Sequence, residues 1–207
     1  RWVIRYAFRF FVWLMKSLGV LRYQIRGQER LERVGLLILA NHPSLIDTVF
    51  LMAFVKHADC IVKSHLWNNL FTRGPVRAAG YISNEQGPEL VEACINSLNG
   101  GNNLIVFPEG TRTPASGNIN LRRGAANIAV RGMKAVTPVI ISCTPSTLGK
   151  GEAWWNIPAC QVEFIIEVKE DIAIQSFLAQ DNSPSVAARQ LTEHLQHYFI
   201  EERNRHA

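Results

Sequence analysis

The sequence has no Cys-x-x-Cys pair; its four cysteines, Cys60, Cys94, Cys143 and Cys160, stand far apart. That spacing argues against a disulfide scaffold and against a zinc site, and it fits a reducing compartment. There is no Gly-x-Ser-x-Gly elbow, and no cysteine sits beside a histidine in a recognisable motif. A covalent nucleophile is therefore not apparent, and an attacking group would have to belong to a substrate. His194 and His197 lie three apart in EHLQH without a third ligand, so they read as a solvated helix face and no metal is expected. Internal repeats and low-complexity linkers are also missing. A chain of 207 residues, 47% of them hydrophobic, is long enough for one sizeable core and one globular domain.

What the chain has is a basic excess: 22 Lys and Arg against 17 Asp and Glu, a net charge of +5. Such a balance suits an anionic membrane surface, an acidic carrier protein or nucleic acid. No nucleic-acid motif is present, and the amino-terminal cations are set among aromatics in an apolar segment, so no nucleic acid is expected as a partner. From Trp2 to Met15 the chain reads WVIRYAFRFFVWLM, with Arg1 and Lys16 at its ends. On a helix its four cations fall within an arc of about 80°. The longest uninterrupted apolar run in this segment, Phe10 to Met15, is far short of the roughly 20 residues that a spanning helix needs. Residues 1–21 are thus expected to form an amphipathic helix lying on a membrane, with Trp2, Phe8, Phe11, Trp13 and Leu14 in the acyl boundary. An ordinary first helix packed on the core is the plainer alternative. The chain begins with Arg1, so a leader or anchor upstream stays open.

Residues 22–207 read as a single α/β domain with a mixed, largely parallel sheet flanked by helices. Strands are expected at Gly35–Ala40, Cys60–Val62, Gly80–Ser83, Asn103–Phe107, Val136–Ser142 and Val162–Val168. Helices are expected from Pro43 through Val55, over Pro88–Leu98, over Leu121–Met133 and from Pro184 to about Asn204. Two of the strands open directly into polar loops, NHPSLID after Ala40 and PEGTRT after Phe107, at the strand ends where such folds hold ligands.

In HPSLID a histidine precedes an aspartate by five positions, near enough across a turn for the carboxylate to accept the Nδ1 proton and leave Nε2 as a base. Alone, the spacing fits a capping Asp and an incidental His equally well. FPEGTR adds a carboxylate, a glycine for close backbone approach, a hydroxyl and a guanidinium. NHPSLID followed by FPEGTR resembles the glycerolipid or lysophospholipid acyltransferase family, whose prototype is 1-acylglycerol-3-phosphate acyltransferase. The likeness runs from about Asn41 to Ser142 and takes in Lys63 of IVKSHL, the GYIS run and TPVII.

The resemblance implies an O-acyltransferase of phospholipid biosynthesis that transfers a fatty acyl group from a thioester to the hydroxyl of a lysophospholipid. His42 would be the general base and Asp47 its orienting partner, with Lys63, Glu109, Gly110, Thr111, Arg112 and Pro138 at the substrate. It implies acyl carrier protein or coenzyme A as the thioester carrier, no cofactor, membrane lipids as partners, and peripheral attachment to the cytoplasmic face of the inner membrane. Where the family's second motif usually ends in an arginine for the acceptor phosphate, this chain has Asn84, which carries no charge. That departure admits a phosphate-free lipid or a specialised metabolite as acceptor. A non-catalytic lipid-binding protein of this fold is the other alternative.

Overall fold

A computed structural model describes residues 2–62, 82–83, 89–114, 118–153, 155–178 and 183–205. Its strands are β1 (Leu21–Arg26), β2 (Leu37–Ala40), β3 (Ala58–Val62), β4 (Ile82–Ser83), β5 (Asn103–Val106), β6 (Val136–Thr144) and β7 (Val162–Val168). They make one seven-stranded sheet in the order β1-β7-β6-β2-β5-β3-β4. Only the β6–β7 pair is antiparallel among the described ladders. The central strands β2 and β5 are buried along their whole length, which explains why they read as continuous apolar runs rather than as alternating ones.

The helices are α1 (Trp2–Ser17), α2 (Asp47–Phe54), α3 (Glu89–Asn99), α4 (Gly124–Gly132), α5 (Gln175–Leu178) and α6 (Pro184–Asn204). One sheet face packs against α3, α4 and α6, through residues such as Leu98, Ile128 and Leu195. The other packs against α1 and α2, through Val12, Phe50 and Leu51. Because β2, β5 and β6 run in the same direction, their carboxyl ends share one edge of the sheet. Strands β7 and β1 run the other way and end at the opposite edge.

The helix expected from Pro43 begins at Asp47 instead. The intervening donors are taken by other partners: Ser44 N–H by Asp47 Oδ2 at 2.7 Å and Leu45 N–H by Leu148 O at 3.2 Å. Likewise α4 begins at Gly124 rather than Leu121, since Leu121 N–H goes to Gln196 Oε1 and Arg122 N–H to Pro108 O. Strand β1, the short α5 and a 3₁₀ turn at Gln28–Glu32 were not expected.

Helix α1 has two apolar faces. Ile4, Phe8, Val12 and Met15 pack inward, while Trp2, Tyr6, Phe10 and Trp13 are exposed. Phe8 therefore belongs to the core rather than to the exposed face. Arg5 is also turned inward: its guanidinium donates to Ala53 O and Phe54 O, the electronegative carboxyl end of α2. No described helix is long and apolar enough to cross a membrane.

Candidate active site

The strand ends of β2 and β5 bring the two motifs together. Asn41, buried just beyond β2, bonds Ile141 of β6 in both directions: its Nδ2 donates to Ile141 O at 2.8 Å and its Oδ1 accepts Ile141 N–H at 2.7 Å. This amide bridge spaces the two strand ends and fixes where the chain turns to present His42. The His42 ring stacks on Phe107, with centroids 4.1 Å apart and planes inclined by 21°.

His42 Nδ1 lies 3.1 Å from Asp47 Oδ2, which also accepts the Ser44 N–H at 2.7 Å. Asp47 is completely buried, and its Oδ1 has no hydrogen-bond partner among the described residues. Burial pushes the Asp47 carboxyl up to about 6, against the pull of the hydrogen bonds from His42 and Ser44. An ionised Asp47 can only accept, so it holds the proton on Nδ1 and leaves the Nε2 lone pair as a base.

The backbone of His42 is fixed by the second motif. Its N–H is shared between Glu109 Oε1 and Thr113 Oγ1, each at 3.3 Å, while Thr113 N–H donates to His42 O at 2.7 Å. Thr113 Oγ1 also donates to Glu109 Oε1 at 2.7 Å. Burial raises the Glu109 pKa, opposed by the hydrogen bonds from Thr113 and the His42 amide. Glu109 thus reaches between the two strand ends and braces the histidine from behind.

Gly110 has φ 67°, which disfavours any side chain, and a Cβ there would come within 2.9 Å of Nε of the exposed Arg122 side chain, which would have to shift. Thr111 is half-buried beside it. Arg112 donates through Nη1 to Leu148 O and Gly149 O, both at 2.8 Å. Pro138 lies farther back, buried inside β6 opposite Leu39. Lys63 and Asn84 lie outside the described residues.

Asn41, Phe107 and Thr113 were not singled out from the sequence. Each lies inside a polar stretch already quoted, Asn41 in NHPSLID, Phe107 in FPEGTR and Thr113 in PEGTRT, and that membership is the signal that marks it. An apolar cavity of about 420 Å³ is lined by Met15, Val20, Ile46, Leu148, Ile157 and Phe164 among others, without His42 or Asp47 in its wall. Its wall residue Ile46 immediately precedes Asp47.

Burial pushes the Cys143 thiol up to about 12, and the nearby Asp47 charge acts in the same direction, so it stays protonated at neutral pH. Cys60 and Cys94 are pushed up to about 12 for the same reason. No group of three or more metal-ligating side chains occurs among the described residues. The arrangement is therefore suited to removing a proton from a hydroxyl at His42 Nε2.

The family model described as acyltransferase matches residues 22–142. Over 145 residues the chain is 27% identical to a 1-acyl-sn-glycerol-3-phosphate acyltransferase of Pseudomonas aeruginosa, covering 67% of this chain and 56% of that protein. Against the Saccharomyces cerevisiae protein of the same name it is 29% identical over 150 residues, covering 68% and 49%. The chain thus spans about half the length of the curated relatives it matches. Its fold matches the crystal structure of the 1-acyl-sn-glycerophosphate (LPA) acyltransferase PlsC from Thermotoga maritima, with a TM-score of 0.73 and 21% identity over 97% of this chain and 79% of that one. With more than half of its residues under the family model, and with both motifs meeting at one edge of the sheet, the chain belongs to the acyltransferase family.

Proposed function

We propose that this protein transfers a fatty acyl group from a thioester to the hydroxyl of a lysophospholipid, with 1-acylglycerol-3-phosphate as the acceptor that its relatives' names point to. The observation that carries the reading is the 3.1 Å contact between His42 Nδ1 and the buried Asp47, whose neighbour Ile46 lines an apolar cavity. His42 Nε2 takes the hydroxyl proton as the acceptor oxygen attacks the thioester carbonyl carbon. The tetrahedral adduct then collapses, the carbon–sulfur bond breaks, and the leaving thiolate takes the proton back from His42. An ester and a free thiol result. Coenzyme A or acyl carrier protein serves as the thiol carrier.

The exposed aromatic face of α1 supports a membrane surface as the place where lipid substrates are met. We assign the protein to the cytoplasmic face of the membrane, where thioester donors are made. A phosphate-free acceptor is a second reading, favoured by Asn84 at the place of the family's phosphate-binding arginine.

The test offers purified protein labelled acyl-coenzyme A and labelled acyl carrier protein, each with lysophosphatidic acid, other lysolipids or a phosphate-free hydroxy lipid, and follows products by mass. Label in phosphatidic acid supports the first reading. Label only in a phosphate-free product establishes the second. No label with any acceptor sinks the acyltransferase reading.

A further inference from the structure

We infer that the segment between β6 and β7 is a second membrane contact, which with the end of α1 opens the apolar cavity onto a bilayer carrying anionic headgroups. This extends the membrane reading of α1 and does not depend on the chemistry at His42. Residues 17–21 and 153–162 contain no charged side chain. Within them Ile157 is 83% exposed, the most of any large apolar side chain among the described residues, and Trp155, Leu18 and Val20 are exposed as well. Singly each is ordinary, but gathered in one patch they require a partner.

The sheet gathers them. Strands β1 and β7 begin at the edge where β2, β5 and β6 end, and their first rung pairs Leu21 with Val162. Gln161 Nε2 donates to Gly19 O at 2.9 Å, which ties the two uncharged stretches together. Val20 and Ile157 both stand in the cavity wall, so the cavity opens at the surface between them. Leu45, exposed in HPSLID, is held to the same wall, since its N–H donates to Leu148 O at 3.2 Å. Leu18 N–H donates to Leu14 O at 2.9 Å, so Leu18 continues the last turn of the helix that exposes Phe10 and Trp13. Charge favours a lipid surface as the occupant. Lys16 and Lys150, just outside the uncharged stretches, are exposed. The flanking carboxylates are engaged instead, Glu163 with Arg22 at 3.2 Å and Glu152 with Gly149 N–H at 2.8 Å. Exposed cations around an apolar centre match headgroup phosphates around acyl chains.

The test attaches an environment-sensitive nitrobenzoxadiazole dye to Cys160, the exposed one of the four cysteines and a residue of the cavity wall. Vesicles of phosphatidylcholine, alone or mixed equally with phosphatidylglycerol, are then added, and Cys160→Ser treated in the same way gives the background. On the mixed vesicles the emission should shift to the blue, and a lipid-borne nitroxide should quench it. Ile157→Ser should weaken vesicle binding by about tenfold, the scale of one large apolar side chain withheld from the bilayer, with its thermal melt unchanged. Vesicle binding with the dye still in water, or Ile157→Ser binding as well as wild type, overturns the second contact and leaves that of α1 standing. No vesicle binding by the wild type overturns both. A blue shift that grows with protein concentration in the absence of vesicles gives the patch to a second copy of the chain and overturns the inference.

Discussion

The two edges of the sheet bury charge in opposite ways. At the edge where β2 and β5 end, Asp47 and Glu109 are both buried, His42 Nδ1 faces Asp47 at 3.1 Å, and Asp47 Oδ1 has no hydrogen-bond partner among the described residues. At the edge where β7 ends, signs alternate. Arg26 meets Glu167 at 2.6 Å, Glu167 meets Lys169 at 2.7 Å, and Lys169 meets Glu202 on α6 at 2.6 Å. Burial works against the Lys169 charge, but its hydrogen bonds to Glu167 and Glu202 outweigh it and raise its pKa. The β7 edge is a chain of paired opposite charges that fastens α6 to the sheet. The β2 edge keeps a carboxylate under strain, as a site built for proton transfer does.

Removing the ring should separate the two most widely. His42→Ala is expected to lower the rate of acyl transfer by about 10²- to 10⁴-fold. The fold should survive, because Asp47 can protonate once its partner is gone. Initial rates and a thermal melt of the same preparation test this, and full turnover by the variant would end the general-base assignment.

The converse holds at the other edge. Lys169→Met removes the cation shared by Glu167 and Glu202, each of which keeps one arginine, Arg26 and Arg205, so the expected loss is that of a charged hydrogen bond, about 2 kcal/mol. Urea unfolding should show that loss while kcat/KM per folded molecule is kept. Lost activity with unchanged stability would mean that the two edges are not divided as argued.

Acidity sharpens the contrast further. The folded pKa of Asp47, about 6, lies above its ordinary 3.8, so folding favours the protonated form. That contribution to stability is present below the ordinary value and is lost as pH rises through about 6. Activity has the opposite slope, because the dyad needs Asp47 ionised. The rate should fall about tenfold per pH unit below the Asp47 pKa of about 6. Lys169, raised above its ordinary value, holds its contribution across this range and loses it only at strongly alkaline pH. A pH–rate profile with no acid limb above pH 5 would contradict the assignment.

The same contrast governs what the amino-acid sequence discloses. An apolar run broken by a polar motif is a local pattern, so β2, β5 and the His42–Asp47 dyad can be read directly. Strand β1, LRYQIR, also has a local signal, the alternation of Leu21, Tyr23 and Ile25, but as an edge strand with only three apolar residues it is too weak to stand out. At the start of α2 the local signal of Pro43 is overridden, because the donors that follow it are taken by distant partners such as Leu148. Asn41 and Arg112 are fixed by carbonyls 100 and 36 residues away, separations that no periodicity can reveal.

The smallest effect concerns the joint between the motif and α4. Gly110 adopts φ 67°, and a Cβ would stand 2.9 Å from Nε and 3.1 Å from Cδ of Arg122. Alanine is expected to cost about 1–2 kcal/mol through the left-handed backbone. Any relief must come from moving the Arg122 side chain or the turn that carries Glu109. Because Glu109 braces the His42 backbone, Gly110→Ala should lower the rate more than its modest loss of stability explains. Unfolding in urea and kcat measured on one variant decide the point: a rate that tracks only the folded fraction would place Gly110 with the structural edge, and an excess loss places it with the dyad.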